Sequence, residues 1–108
     1  MSDTTAESQA RSATAALIRD YYAAFNRGDT DAMIDFMTDD VIHDINQGER
    51  RQGKDKFRAF NARMSHNYKE ELKDIVVMVS KDASRAAAEF NVHGVYKNTD
   101  EGLPPAIG

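Results

Sequence analysis

The chain has 108 residues, enough for one domain and too few for two. Its net charge of -4, with basic residues scattered apart from Arg50-Arg51 and Lys54-Lys56-Arg58, excludes the basic stripe expected of a nucleic-acid binder. The absence of cysteine excludes disulfides, thiol catalysis and Cys-based zinc sites.

Hydrophobic residues make up 41% of the chain, which supports a real but small core. Residues 1–12 read as a flexible polar tail, and residues 13–108 as a single domain. The tail has no apolar centre of the secretory kind. No run approaches the ~20 apolar residues that span a bilayer. A cytoplasmic protein with no membrane or nucleic-acid partner is therefore expected.

From Thr14 the pattern is helical. Leu17, Tyr21, Ala24 and Phe25 recur on one stripe, widened by Ile18 and Tyr22. Asn26-Arg27-Gly28 ends the helix, with Gly28 suited to the left-handed position. Asp29 or Thr30 can cap a short second helix over residues 31–37, burying Met33, Ile34, Phe36 and Met37. Residues 41–46 read as a strand, with His43 and Asp44 on opposite faces and Ile42 on the Asp44 side. Residues 47–50 read as a turn. Gly53 precedes a third helix over residues 54–64, with Phe57, Phe60 and Met64 on its stripe.

The remainder reads as β. Residues 68–80 form a long strand whose stretch Ile75 to Val79 is apolar on both faces, the pattern of a strand covered on both sides. After a turn at Lys81-Asp82-Ala83, residues 85–96 return antiparallel. Ala88, Phe90, Val92 and Tyr96 lie on one face, and Glu89, Asn91 and His93 on the other. Three helices with one early strand, then a hairpin, give an α+β layer fold. A sheet of about three strands is thin for a domain, and the Asp100-to-Pro105 loop reads as leading onward. Further C-terminal strands are expected beyond Gly108, so the domain is read as truncated.

The run Tyr21-Tyr22-Ala23-Ala24-Phe25-Asn26-Arg27-Gly28-Asp29, then Phe36-Met37-Thr38-Asp39-Asp40 and His43-Asp44, carries a resemblance. It resembles the ketosteroid isomerase / SnoaL-like group of the nuclear transport factor 2-like superfamily. Asp44-Ile45-Asn46-Gln47-Gly48 and Thr99-Asp100-Glu101-Gly102-Leu103-Pro104-Pro105 are similar to its ketosteroid isomerase-related branch. The resemblance covers the chain from about Ala15 onward. It implies a cone-shaped fold of three N-terminal helices on a curved antiparallel sheet, with a small-molecule pocket between them. One such scaffold hosts isomerases, cyclases, dehydratases, hydrolases and non-enzymatic binders, so the fold does not settle the activity.

The resemblance implies roles as well. Asp44 matches the carboxylate that moves a proton between carbons, and Tyr21 the phenol that donates to the developing enolate. The family's second donor, a protonated acid on a later strand, has no counterpart in this chain. Enolisation needs a base near the C–H and a donor at the oxygen, so these groups are of the right type; ketosteroid isomerase is the standard worked case. The plain alternatives are a solvated strand-end Asp44 and a core Tyr21 bonded to a backbone carbonyl. Phe25, Ile42, Phe60, Met64 and Phe90 are the expected pocket wall, against the alternative of an ordinary core.

No His-x-x-x-His spacing exists among His43, His66 and His93, so no metal is expected. His66 reads as a helix-end residue, and His93 as an interface residue. Two functional readings follow. One is a cofactor-free isomerase acting next to a carbonyl of a small hydrophobic, steroid-like or polyketide-like substrate. The other is a non-catalytic ligand-binding or dimerisation module. A homodimer is expected from the two-faced run Ile75 to Val79 together with the resemblance.

Overall fold

The computed structural model describes residues 4–45 and 48–100. The terminal loop from Glu101 and the Asn46-Gln47 part of the expected turn lie outside the described residues.

Helix α1 (Thr5–Arg27) begins at Thr5, not near Thr14. The reading of residues up to 12 as tail is thus corrected from position 5 onward. Thr4 caps the helix, its Oγ1 accepting the Glu7 N–H at 3.1 Å, and the Thr-x-x-Glu spacing is that of a capping box. Ala6, Ala10 and Ala13 supply helix propensity. Two polar contacts then tether this segment: Arg11 Nη1 donates to Lys81 O at 2.9 Å, and Thr14 Oγ1 to Ala83 O at 3.0 Å. None of these forces leaves an apolar stripe, which is why periodicity missed the first turns.

The end of α1 follows the sequence closely. Gly28 sits at φ 71°. Its N–H donates to Phe25 O, and the Asp29 N–H to Ala24 O, both at 2.9 Å, the double bond of a Schellman termination. Helix α2 (Thr30–Asp35) starts under Asp29, whose Oδ1 accepts the Ala32 N–H. Met33 and Ile34 are buried, but Phe36, expected inside, is 38% exposed. The helix has already ended at Phe36.

Strand β1 (Ile42–His43) pairs antiparallel with β2 (Arg51–Gln52), so the strand expected over residues 41–46 shrinks to two residues. The cause is local: Ile45 O accepts the Gly48 N–H in a turn and leaves the ladder. Gly53, at φ 95°, donates its N–H to Val41 O and launches α3 (Lys54–Asn67), which runs past Met64. The core lies where the three helices meet: Ala24, Met33, Ile34 and Phe57, with Tyr21, Phe25, Ala32 and Met37 packed on it.

Strands β3 (Tyr68–Val79) and β4 (Ala86–Tyr96) form the long hairpin, separate from the β1–β2 ladder. A bulge breaks the register between Lys73 and Val76, with Asp74 at φ 55°. Bulges of this kind bend the strand and raise its twist. Along β3 the less exposed residues are Tyr68, Glu70 and Leu72, then Ile75, Val77 and Val79. Val76 and Met78, on the other face, are about half exposed in the single chain.

One side chain fastens α1 to this hairpin. Asn26 Nδ2 donates to Leu72 O at 3.0 Å, and Asn26 Oδ1 accepts the Leu72 N–H at 2.8 Å. The amide thus pairs with a backbone unit as a neighbouring strand would. Replacing Asn26 by Ala strands both groups of the buried Leu72, and is expected to cost about 1–3 kcal/mol. Urea unfolding checks this: the midpoint falls and the slope stays. An unchanged midpoint would remove the pair from the list of forces that hold the fold.

Candidate functional site

Tyr21 follows from helix geometry. It lies on the stripe of Ala24 and Phe25, so its ring packs on the core. Its neighbours are aromatic, with Tyr22 at 5.1 Å and Phe36 at 6.2 Å between ring centroids. Burial, with a smaller contribution from Tyr22, pushes the Tyr21 phenol up to about 12. The hydroxyl therefore stays protonated and available as a donor at any ordinary pH. Among the described residues it has no hydrogen-bond partner, and it is not shut off from solvent. Tyr22 in turn reaches β4, its ring 5.2 Å from that of Phe90.

His43, in the short strand β1, and Asp44, just after it, are sent to different surroundings. His43 is tucked edge-on against Phe57 and Phe60, each at 5.1 Å. The guanidinium of its cross-strand partner Arg51 stands 5.2 Å over the Phe60 ring. Burial lowers the His43 pKa, Arg51 lowers it further, and Asp44 opposes them weakly. His43 Nδ1 is buried with no partner among the described residues, which a charged imidazole would not tolerate. His43 is accordingly neutral.

Asp44 points outward. Arg50 grips both its oxygens, Nε to Oδ1 at 2.9 Å and Nη2 to Oδ2 at 3.0 Å. These bonds hold the Asp44 carboxyl below the usual carboxylate range, and the arginine correspondingly higher. Ile42, at the start of β1, is exposed as well.

A cavity of ≈ 290 Å³ opens between the end of α1, the second half of α3 and the start of β3. Phe25, Met33 and Met64 give it an apolar wall, and Asn61, Tyr68 and Lys97 a polar one. Of the pocket residues expected from sequence, Phe25 and Met64 line it. Tyr21, Asp44, Ile42, Phe60 and Phe90 do not, so the expected set divides among this cavity, the Tyr21–Tyr22–Phe90 aromatic face and the β1 hairpin.

Sequence reasoning missed two residues here. Asn61 is buried in the cavity wall, its Nδ2 donating to Thr30 Oγ1 at 2.7 Å. Its signal was available: it is the one polar residue on the Phe57–Asn61–Met64 stripe. Asp100 carries no local signal. Its carboxylate is buried and accepts from Arg63 Nε and Nη2 at 2.9 and 2.7 Å, Asn67 Nδ2 at 3.1 Å and the Tyr68 hydroxyl at 2.9 Å. It locks the chain after β4 onto the α3–β3 junction.

Among the described residues no group of three His, Asp or Glu is placed to hold a metal ion. No helix among them is long and apolar enough to cross a membrane.

Arg50→Ala is expected to move the Asp44 titration up toward the ordinary carboxylate value, since the Arg50 bonds are its largest cause. With the folded pKa depressed, the pair's contribution to stability is complete above the unfolded value. It is lost as pH falls through the depressed one. A carboxyl-carbon NMR titration of both proteins checks this. Identical curves would show that the ion pair does not persist in solution.

Comparison with known proteins places this geometry. The SnoaL-like domain profile matches residues 18–105. A crystal structure from Xanthomonas campestris superposes with a TM-score of 0.89 at 50% identity, over 92% of this chain and 73% of that one. One from Pseudomonas putida gives 0.85 at 57% identity, over 88% and 71%. One from a Silicibacter species gives 0.84 at 53%, over 87% and 69%. Each of the three is described as a "putative polyketide cyclase". No curated protein matches the chain.

Proposed function

The chain belongs to the SnoaL-like domain family, within the nuclear transport factor 2-like superfamily, and on that premise we propose that it binds a small apolar carbonyl compound and moves a proton next to the carbonyl. The observation that carries this reading is Tyr21: a neutral phenol on an aromatic face, with no partner for its hydroxyl among the described residues. A donor held in that state costs little to redirect onto a developing enolate oxygen. The names of the superposed structures support a cyclase over a hydrolase.

In the reaction proposed, Tyr21 donates to the carbonyl oxygen while Asp44 removes the neighbouring C–H proton. The electron pair of that bond becomes the enolate. In an isomerase the proton returns from Asp44 to a different carbon. In a cyclase the enolate carbon attacks a second carbonyl of the same substrate, and the proton goes to the alkoxide formed. No cofactor is required by either route. Asp44 is a weak base while Arg50 holds it, so the substrate must draw Arg50 away before Asp44 can act.

The test needs no knowledge of the natural substrate. Exchange of the α-hydrogens of 2-tetralone in D2O, followed by proton NMR, reads enolisation directly. The wild-type chain is expected to accelerate exchange, Tyr21→Phe to lose about 100- to 1,000-fold of that, and Asp44→Asn to lose it all. Wild-type exchange no faster than buffer would overturn the catalytic reading. Retained exchange in Asp44→Asn would overturn the choice of base.

One observation favours the second reading, a binding module without chemistry: Asp44 lies outside the cavity and is already satisfied. That reading expects the same ketone to bind and raise the unfolding temperature with no exchange. Under either reading we propose a homodimer built on the outer hairpin face, where Val76 and Met78 stand half exposed. Light scattering at micromolar concentration should give twice the chain mass, and Met78→Lys the single mass. A wild-type monomer would refute it.

A further inference from the structure

The cavity between α1, α3 and β3 has a charge distribution that the proposed chemistry does not use. Its inner wall is apolar, made by Phe25, Met33 and Met64. The cavity is also lined by Arg27, which pairs with Asp29 at 3.8 Å, and by Lys69 and Lys97, both exposed and neither ion-paired among the described residues. In a chain of net charge -4, two unclaimed ammonium groups at the mouth of an apolar recess are a local reversal of sign. Lys69 also borders an adjoining cavity of ≈ 370 Å³ on the hairpin side, so its ammonium can turn over either opening. Glu70, on the wall of both, limits how much negative charge the rim tolerates.

We infer that this cavity is a binding site for an apolar monocarboxylic acid, with the hydrocarbon body on Phe25, Met33 and Met64 and the carboxylate between Lys69 and Lys97. The volume lies at the small end of the roughly 300–1,000 Å³ range of small-molecule pockets, which suits a compact ring system over a long chain. With Arg27 paired to Asp29, Lys69 and Lys97 set against Glu70 leave one net positive charge, which suits a monoanion better than a dianion such as a phosphate monoester. Two flexible ammonium groups hold a single carboxylate by charge-assisted hydrogen bonds. The inference rests on the reading of the chain as a small-molecule binder but not on enolisation. Its outcome is therefore separable from that of the exchange experiment.

The test uses the intact chain labelled with carbon-13 at the methionine methyl groups. Met33 and Met64 report on the cavity, and Met78, on the outer hairpin face, is the internal control. The probe is 2-naphthoate, compared with the neutral 2-naphthylmethanol of similar shape. Naphthoate is expected to shift the Met33 and Met64 signals and to leave Met78 in place. The alcohol should bind about tenfold more weakly, the order of one lost charge-assisted hydrogen bond. The double variant Lys69→Gln, Lys97→Gln, whose side chains hold no other part of the fold, should abolish the preference for the acid, and added salt should weaken it.

Equal affinity for acid and alcohol, or an unchanged preference in the double variant, would overturn the inference. So would shifts confined to Met78, or no shift of Met33 and Met64 at millimolar naphthoate. Naphthoate binding as expected with no ketone exchange would uphold the site and defeat the enolisation reading alone.

Discussion

The fold turns on one amide. Asn26 stands at the last turn of α1 and pairs with both backbone groups of Leu72, two residues before the bulge in β3. A hydrophobic contact would let the helix slide or roll on the hairpin, because burial is not directional. A donor and an acceptor fixed in one plane do not. With the Schellman termination immediately after it, Asn26 sets where α1 lies along β3, and the chain then turns sharply into α2. Tyr21, Phe25 and the wall of the cavity inherit their positions from that one registration.

The second organising fact is a separation of charges by environment. The groups near the core, Tyr21 and His43, are kept neutral by burial. Several ionised groups at the surface are paired, as Asp44 is with Arg50 and Arg58 with Asp31. Such exposed pairs contribute little to stability. The exception is Asp100, whose carboxylate is buried and collects donors from α3 and β3. There the hydrogen bonds offset a desolvation cost that a single cation would not, and removing any one donor would leave a buried charge underpaired.

What could be read in the sequence depended on the kind of force involved. The helical stripe of α1, its glycine termination and the long hairpin were all visible, because periodicity and turn chemistry are local. The early start of α1 was invisible, because a cap, alanines and two side-chain-to-carbonyl bonds leave no stripe. The β1 strand was overextended, because nothing local announces that Ile45 leaves the ladder for a turn. Phe25 and Met64, candidates for a pocket wall from their stripes, line the cavity, whereas Phe60 and Phe90, which the family resemblance favoured, do not. Asn61 could have been added from its polar intrusion into such a stripe. Asp100 could not, since its partners lie more than thirty positions away in the chain.

Asp74 carries a consequence for how this hairpin can change over generations. With its positive φ it spends one residue on reversing the parity of β3: even-numbered side chains look inward before it, odd-numbered ones after it. Asn91 Nδ2, bonded to its carboxylate at 2.9 Å, braces it from the opposite strand. Straightening the bulge with Asp74 retained would present Val76 and Met78 where Ile75 and Val77 now pack, whereas loss of this one residue would keep Ile75, Val77 and Val79 inside by plain alternation. Strand length and bulge are therefore linked: a chain of this length keeps its inner face only with the bulge, and a chain one residue shorter at Asp74 would keep the same face without it.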